Sequence, residues 1–520
     1  MAVIQFKKKV RGGRKKKFTM GRSLLFGEIS SSVCLNLCAF AALREIFVLR
    51  HSVTNVQSIP VNGPLTAGAI VARLDRLPQT FTVWKLIILL GLGFFFELYD
   101  LLFTGNIAPG LVKSGILTPT TPGLFGSAGI ASFVAALFAG LFVGAIACGF
   151  LADKYGRRAI FTYSLLWYTA TDVVMAFQST AFGLNLWRFL SGLGLGLEIV
   201  VIGTYLSELV PKQVRGRAFA CCQAIGFVAV PVSAFLSYLL VPQAPFGIDG
   251  WRWVVLIGAH GAVFIWWIRR ALPESPRWLA QHGRFPEADK IMTAWENRVA
   301  AEYGRALPSP AAPEPVARHG RMREMWTPPY LKRSIMMIIF NILQTVSFYG
   351  FLNWVPTLLI KQGITITNSL LYTTLIAFAA PVGPLLGLLI ADRFERKHVL
   401  VVVCLGIIGC GLAFSQASGA AAIVLLGAGL TLGNNMMSYT FHAYQQELFP
   451  TGIRARAVGF VYSWSRFSAI FTGFVIAFVL EHSGVGGVFV FIAAAMLLAL
   501  LAIALMGPRT RNLALEQISN

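Results

Sequence analysis

The chain has 520 residues, of which 56% are hydrophobic and only 13% are charged. Soluble proteins carry about 25% charged residues, so this composition excludes an ordinary soluble enzyme of this length. The net charge of +22 comes from basic residues beside hydrophobic segments. That is the pattern of membrane topology signals, whereas a nucleic-acid-binding protein carries its basic residues on a soluble domain.

Hydrophobic segments of about 20 residues, the length that crosses a bilayer as a helix, recur along the chain. We therefore predict an all-α polytopic membrane protein with two six-helix bundles, since a β-barrel would show short alternating segments instead. The twelve predicted spans lie near residues 84–104, 128–151, 160–178, 184–206, 218–240, 253–268, 334–359, 370–390, 399–416, 421–443, 457–480 and 487–506.

The spans divide the chain into five predicted parts: a basic N-terminal extension (1–65), a first bundle (66–268), a cytoplasmic loop (269–333), a second bundle (334–506) and a cytoplasmic tail (507–520). The extension is expected to be disordered or to be translated from too early a start codon. Residues 66–82 are predicted to form an amphipathic helix that leads into the first span, and residues 285–303 a second one at the membrane surface.

Alternate loops differ sharply in basic residues, which predicts the orientation of the chain. The basic loops hold Lys154, Arg157, Arg158, Lys212, Arg215, Arg217, Arg393, Arg396, Lys397, Arg454 and Arg456. The other loops hold little beyond Lys113, Arg252 and Lys361. Since basic loops stay in the cytoplasm, we expect both termini and the central loop there, in a protein of the cell (inner) membrane.

The sequence gives no sign of a metal site or a cofactor. The seven cysteines lie mostly in apolar segments without metal-ligand spacing and are interpreted as packing residues. No phosphate-binding loop and no G-x-S-x-G nucleophile motif occurs. We therefore expect no enzyme activity and no cofactor. The expected partners are the lipid bilayer, a small-molecule substrate and protons, with no nucleic acid and a monomer as the functional form.

Two segments of the first half recur in the second half at one offset. Residues 152–158 match residues 391–397, which begin 239 positions later (152 to 391), and residues 207–218 match residues 446–457 at the same offset. Two matches at one offset indicate structural repeats, which in transporters rock against each other around a central site.

The repeated segments place acids beside arginines where predicted spans meet the cytoplasm. We predict that these charges form a latch that closes the cytoplasmic side, because topology signals alone would explain the arginines but not the paired acids. The predicted gate residues are Asp153, Arg157, Arg158, Glu208, Arg215, Arg217, Asp392, Arg393, Arg396, Glu447, Arg454 and Arg456.

The same segments resemble a known family. Residues 149–158 (GFLADKYGRR) resemble the loop 2–3 signature of the major facilitator superfamily, and residues 387–397 resemble its weaker second copy. Residues 187–196 are similar to the motif of its fourth span, and residues 273–278 (PESPRW) to the signature of its sugar-porter branch. The resemblance implies a transporter of the major facilitator fold. It does not imply a sugar substrate, since the same motifs mark transporters of metabolites, aromatic acids and organic ions.

Ionisable residues within spans are costly and usually face the protein interior, so each is a candidate site. Glu97 and Asp100 share one face of span 1, and two close carboxylates in a low dielectric cannot both ionise easily. This span also resembles span 1 of bacterial acid/proton symporters, although Leu98 departs from their pattern. We predict proton coupling through Asp100, Glu97, Arg188 and Glu198. Asp172 is expected near the outer surface, in contact with solvent.

The second half offers groups that suit a substrate. Arg466 in span 11 can bind a carboxylate through its planar guanidinium, and the resemblance implies the same, since organic-anion members have a similar arginine. An internal ion pair with Glu198 or a span 1 acid is the alternative. The full set of predicted substrate contacts is Arg466, Tyr99, Asn341, Gln344, Tyr349, Asn434, Asn435 and Tyr439.

The sequence thus favours proton-coupled uptake of a small organic anion by alternating access. Sugar or polyol symport with protons is the main alternative, and it depends on the 273–278 motif and the amides. Drug/proton antiport is less favoured, because span 5 lacks the glycine-proline-glycine cluster of such antiporters. A non-transporting sensor would carry a large soluble extension, which the sequence does not contain.

Overall fold

The computed structural model describes residues 66–118, 120–122, 129–310, 322–328, 330–391, 394–449 and 453–510. This part of the chain folds into seventeen α-helices. Those of the first half are α1 (Ala67–Asp75), α2 (Phe81–Lys113), α3 (Ile130–Tyr155), α4 (Arg157–Ala176), α5 (Ala181–Leu209), α6 (Arg215–Phe227), α7 (Ala229–Leu240) and α8 (Gly250–Ala271). The central loop holds α9 (Pro276–Gln281) and α10 (Phe285–Tyr303). The second half holds α11 (Tyr330–Leu352), α12 (Val355–Lys361), α13 (Ile366–Ala377), α14 (Val382–Ala391), α15 (Arg396–Gln416), α16 (Ala420–Glu447) and α17 (Arg454–Met506).

Every predicted span falls on one or two of these helices, which confirms the all-α fold. Nine segments among the described residues are long and apolar enough to cross a membrane, and one of them, within α17, covers two predicted spans. The helices α4 and α8 are outside this set. Two arginines, Asp172 and three threonines make α4 more polar than its neighbours.

Prolines and glycines interrupt several spans. Span 5 divides at Val228 into α6 and α7, and Pro231 follows in the first turn of α7. A proline there removes a backbone hydrogen bond to the preceding turn. Spans 7 and 8 divide in the same way, near Pro356 and Pro381. In α17 the two predicted spans join at Gly484, whose φ of 66° is a left-handed conformation that glycine adopts without strain.

The helix that leads into span 1 is shorter than the predicted 66–82. Thr66 caps α1 by accepting from the Ala69 amide at 3.2 Å, and α1 ends at Asp75. The second predicted amphipathic helix has the expected bounds, 285–303, and ends at Gly304 with φ 69°. It packs on α1, because the buried carboxylate of Glu296 accepts from Arg73 of α1 at 2.8 Å and from Arg76, the residue after α1, at 2.7 Å.

Two close contacts join the halves. The ring of Phe138 on α3 lies 4.7 Å from that of Tyr349 on α11. Gly105 on α2 packs against the backbone of Asn353, so a Cβ at Gly105 would overlap the Asn353 carbonyl oxygen. The boundary between the halves is thus closely packed here, and the buried charges described next lie beside it.

Candidate functional site

The Arg188 guanidinium binds Asp100 in the interior of the first half. Nη1 of Arg188 lies 2.5 Å from Oδ1 of Asp100, and Nη2 donates to the Asp100 carbonyl at 2.7 Å and to Thr104 at 2.5 Å. Ser191 donates to the second carboxylate oxygen of Asp100 at 3.2 Å. Arg188 is completely buried, so α5 and α2 are joined by an ion pair held within the fold.

Asp172 also reaches this arginine, and the prediction that it is in contact with solvent was wrong. Asp172 is only 2% exposed, and its Oδ1 lies 3.5 Å from Nη1 of Arg188. The helices α4 and α5 form an antiparallel hairpin whose turn, at 177–180, brings Asp172 within about one helical turn of the level of Arg188. This spacing is the sequence signal that could have found the contact.

Two further carboxylates are buried beside this ion pair without hydrogen bonds. Among the described residues, no group donates to either oxygen of Glu97 or of Glu198. Glu198 lies beside α2 at Gly93, where a Cβ would be 3.9 Å from Oε1 of Glu198. The buried Tyr168 lies close enough to Glu198 and Asp100 for their charges to interact. The four buried acids of the first half are therefore close to one another: Glu97, Asp100, Asp172 and Glu198.

Arg466 is buried in α17 of the second half, where it binds two tyrosines. It donates to the hydroxyl of Tyr349 on α11 and to that of Tyr462 at 2.9 Å. Both rings also lie beside the guanidinium, with centroids 5.6 and 5.0 Å from Cζ. Within the described residues no carboxylate forms an ion pair with Arg466, so the alternative of an internal pair does not occur in this conformation. Glu97 is within electrostatic range across the boundary.

The predicted amides of α11 and α16 are buried, and most keep one polar atom without a partner in the described part of the chain. Asn341 donates to the Met337 carbonyl at 2.8 Å and Asn435 to the Thr431 carbonyl at 2.8 Å, which leaves the side-chain oxygen of each unbonded. Asn434 accepts from Ser347 at 2.9 Å, which leaves its Nδ2 unbonded. These atoms are able to bind a polar ligand.

Three other predicted substrate residues have partners within the fold. Gln344 donates to Thr345 at 3.1 Å. The hydroxyl of Tyr99 donates to the Val254 carbonyl at 2.9 Å, so it is occupied by α8 in this conformation. Tyr439 packs against α14, where a Cβ on Gly387 would overlap its ring.

The repeated charges form the same ion pair in each half. Arg157 binds Glu208 at 3.2 Å, and Arg396 donates from Nε to Glu447 at 2.8 Å. Each partner in the second pair lies 239 positions beyond its counterpart in the first. Both pairs lie at the end of the bundle where α3 ends and α4 begins, which we call the basic end. Each joins two helices of one half.

The other predicted gate residues are arranged less regularly. The backbone amides of Arg157 and Arg158 donate to Glu274 at 3.0 and 3.2 Å, and Arg454 donates to the Phe449 carbonyl at 3.1 Å. Arg215 is partly buried, and Arg217 and Arg456 are exposed. Asp392, Arg393 and the side chain of Asp153 lie outside the described residues.

Comparisons with known proteins identify the family. The family model described as "Sugar (and other) transporter" matches residues 87–520. The putative metabolite transport protein YyaJ of Bacillus subtilis is 33% identical over 443 residues, which cover 84% of this chain and 95% of that protein. The niacin transporter NiaP of Acinetobacter baylyi is 29% identical, over 86% of this chain and 99% of its own.

A solved structure shows the same fold. The xylose transporter XylE of E. coli, in a partially occluded inward open conformation, aligns with a TM-score of 0.68 at 17% identity, over 83% of this chain and 99% of its own. At that identity the likeness concerns the fold alone. The chain belongs to the sugar (and other) transporter family and is a membrane transporter of the major facilitator fold.

Proposed function

We propose that this protein is a proton-coupled symporter that takes up a small carboxylate. Its cytoplasmic side is the basic end, following the distribution of basic loops, and the monomer is the transporting unit. Arg466 would bind the carboxylate of the substrate, and the acids of the first half would carry the proton.

The observation that carries the proposal is the position of Arg466. A buried arginine without an opposite charge is costly, and its planar guanidinium suits a carboxylate. In the described residues it is bonded only to the neutral hydroxyls of Tyr349 and Tyr462. A carboxylate substrate would supply the missing negative charge, and the tyrosine hydroxyls could orient it.

The position of Glu97 links the substrate to a proton. Glu97 is buried within electrostatic range of Arg466. An ionised Glu97 would repel an anionic substrate at Arg466, whereas a protonated Glu97 would not. Binding of the anion therefore requires a proton on this side chain, and that requirement is the basis of symport. The Asp100–Arg188 pair is the second proton-linked group in the proposal.

The comparison with NiaP is consistent with this substrate class, because niacin is a small aromatic carboxylic acid. The unbonded amide atoms of Asn341, Asn434 and Asn435 favour the second candidate function, sugar or polyol symport, since amides bind hydroxyl groups well. A carboxylate with a ring nitrogen or hydroxyl groups would use both sets of residues.

Uptake by reconstituted protein tests the proposal. Purified protein in liposomes would be given labelled nicotinate, benzoate or xylose, with the exterior acidic and the interior alkaline. We expect nicotinate or benzoate to accumulate several-fold over protein-free liposomes with the same pH gradient, which measure passive entry of the neutral acid, and over proteoliposomes whose gradient has been collapsed by an ionophore.

Three outcomes would contradict parts of the proposal. Carboxylate uptake that ignores the pH gradient would remove the coupling. Accumulation of xylose but of neither acid would favour the sugar alternative. Undiminished carboxylate uptake by Arg466→Ala would remove the substrate assignment.

A further inference from the structure

One arginine is shared by two buried carboxylates in the first half. Arg188 lies 2.5 Å from Asp100 and 3.5 Å from Asp172, through the same nitrogen, Nη1. Both acids are at most 3% exposed, and Arg188 is not exposed at all. Water therefore does not compensate either carboxylate.

The groups that surround Asp172 include no second cation. From α2 it faces Asp100, from α5 Arg188 and Ser191, and on its own helix Tyr168 lies one turn before it. The other acids close to Asp100, Glu97 on α2 and Glu198 on α5, add only negative charge when ionised. The nearest basic residue of α8, Arg252, binds the carbonyls of Ala176 and Gln178 at the end of α4 and the carboxylate of Asp249. Arg188 is thus the one positive charge available to Asp100 and Asp172 among the described residues.

A count of these charges requires a proton. One guanidinium balances one carboxylate, and a second ionised carboxylate in the same buried site would be uncompensated and costly. Two acids as close together as these cannot both ionise easily. One of them must therefore hold a proton near neutral pH, and the distances allow Arg188 to balance whichever of the two stays ionised.

We propose that Asp100 and Asp172 share a single proton, and that Asp172 is the positioning residue that binds Arg188 when the proton is on Asp100. While Arg188 binds ionised Asp100, the proton is on Asp172. When the proton moves, the O–H bond of Asp172 breaks and an O–H bond forms on Asp100, while Arg188 keeps all its protons and transfers its hydrogen bond from Asp100 to Asp172. When the proton returns to Asp172, the hydrogen bond returns to Asp100.

This inference deepens the proposed function, since it concerns how the proton-linked pair Asp100–Arg188 is loaded. Its physical consequence is that protonation of Asp100 does not leave a buried arginine without a counter-ion. Such an unpaired buried charge is strongly destabilising. With Asp172 present, the proton can bind and leave Asp100 without that cost.

Infrared spectroscopy of the purified protein tests the proposal without any substrate. Protonated carboxyl groups have a C=O stretching band that ionised carboxylates lack, and the band can be titrated between acidic and alkaline pH. We expect Asp172→Asn and Asp100→Asn each to lack one protonated carboxyl at pH 7. The missing carboxyl is the shared one in both variants, so each should lose the same amount of band intensity. In each variant the remaining acid is the ionised partner of Arg188.

Two further variants complete the test. Asp172→Glu keeps a carboxyl group at this position and should keep one protonated carboxyl of the pair at pH 7, so it serves as the test if the asparagine variants do not fold. Asp249→Asn, which removes a partly exposed acid, should leave the bands unchanged. A full wild-type band in Asp172→Asn at pH 7, or loss of the protonated-carboxyl band in a folded Asp172→Glu, would overturn the proposal. Neither result would bear on pH-driven uptake, which is measured separately in liposomes.

Discussion

Glu97 and Arg466 are buried on opposite sides of the boundary between the two halves, close enough for their charges to interact but too far apart for a direct ion pair. Neither has a partner of opposite charge in hydrogen-bond contact among the described residues. In the proposed function, a substrate carboxylate lies next to both residues and makes their protonation states interdependent.

Glu97→Gln should remove the effect of pH on substrate binding. In the wild type, a carboxylate such as nicotinate binds together with one proton taken up by Glu97. Its affinity therefore falls about tenfold per pH unit once Glu97 is ionised in the free protein. A glutamine at this position cannot ionise, so affinity should stay level from pH 6 to pH 8. Isothermal calorimetry at several pH values measures this. The exposed Glu287→Gln is the control, and an unchanged pH dependence in Glu97→Gln would contradict the prediction.

Arg466→Lys should weaken carboxylate binding even though it keeps the positive charge. Lysine cannot present two parallel N–H groups to a carboxylate. Loss of a charge-assisted hydrogen bond costs about 1.5–3 kcal/mol, so we expect the Kd for nicotinate to rise about tenfold to hundredfold. Competition binding measures the change. Arg284→Lys, in an exposed pair with Glu287, should bind as the wild type does.

Gly105→Ala should disfavour the conformation described here. A Cβ would overlap backbone atoms of Asn353, which cannot move aside as a flexible side chain can. We expect the population with α2 and α12 in contact to fall at least tenfold and transport to slow accordingly. Spin labels at Lys113 and Lys361, both exposed at the ends of these helices, would report a longer distance.

Gly203→Ala is the matched control, because no atom lies within reach of a Cβ at that position of α5. It should leave both the distance and the transport rate unchanged. Equal effects of the two substitutions would show that helix propensity, not the contact with Asn353, is responsible.

Arg396→Ala should destabilise the second half by about 1–3 kcal/mol. The pair with Glu447 is partly buried, so the cost of losing it lies between that of an exposed ion pair and that of a fully buried one. Thermal unfolding in detergent would show a lower apparent Tm. The exchanged pair, Arg396→Glu with Glu447→Arg, should recover much of the loss. Failure of the exchange together with an unchanged Tm in Arg396→Ala would contradict the prediction.

Glu296→Gln should release α1 from α10. Glu296 accepts from Arg73 at 3.1 and 2.8 Å and from Arg76 at 3.2 and 2.7 Å, and a neutral amide binds two guanidinium groups poorly. We expect trypsin to cleave after Arg76 at least ten times faster than in the wild type, as followed by mass spectrometry. Glu287→Gln on the same helix should be cleaved at the wild-type rate.

The fold could be predicted from the sequence because its signals are local. Hydropathy located the spans, and the 239-residue offset identified the halves, whose equivalent ion pairs, Arg157–Glu208 and Arg396–Glu447, the structure then showed. The bounds of the helix at 285–303 followed from its amphipathic pattern.

The site could be predicted only in part, because burial depends on which helices become neighbours. Asp172 looks like a surface residue on its own helix, and only the contact of α4 with α5 and α2 makes it a buried partner of Arg188. Tyr99 is next to Asp100 in sequence but faces α8. The contact of Arg466 with Tyr462, four residues earlier on α17, is local, but its contact with Tyr349 depends on the packing of α11 against α17, which no local pattern encodes.

The equivalent ion pairs at the basic end have a consequence for how the molecule moves. Because Arg157–Glu208 and Arg396–Glu447 each connect helices of the same half, the rocking motion predicted from the repeats would stretch neither of them. In such a motion these pairs would hold the helices of each half together. The free energy of switching then falls mainly on the interface, on contacts such as Phe138 with Tyr349, and dispersion contacts of this kind hardly respond to ionic strength.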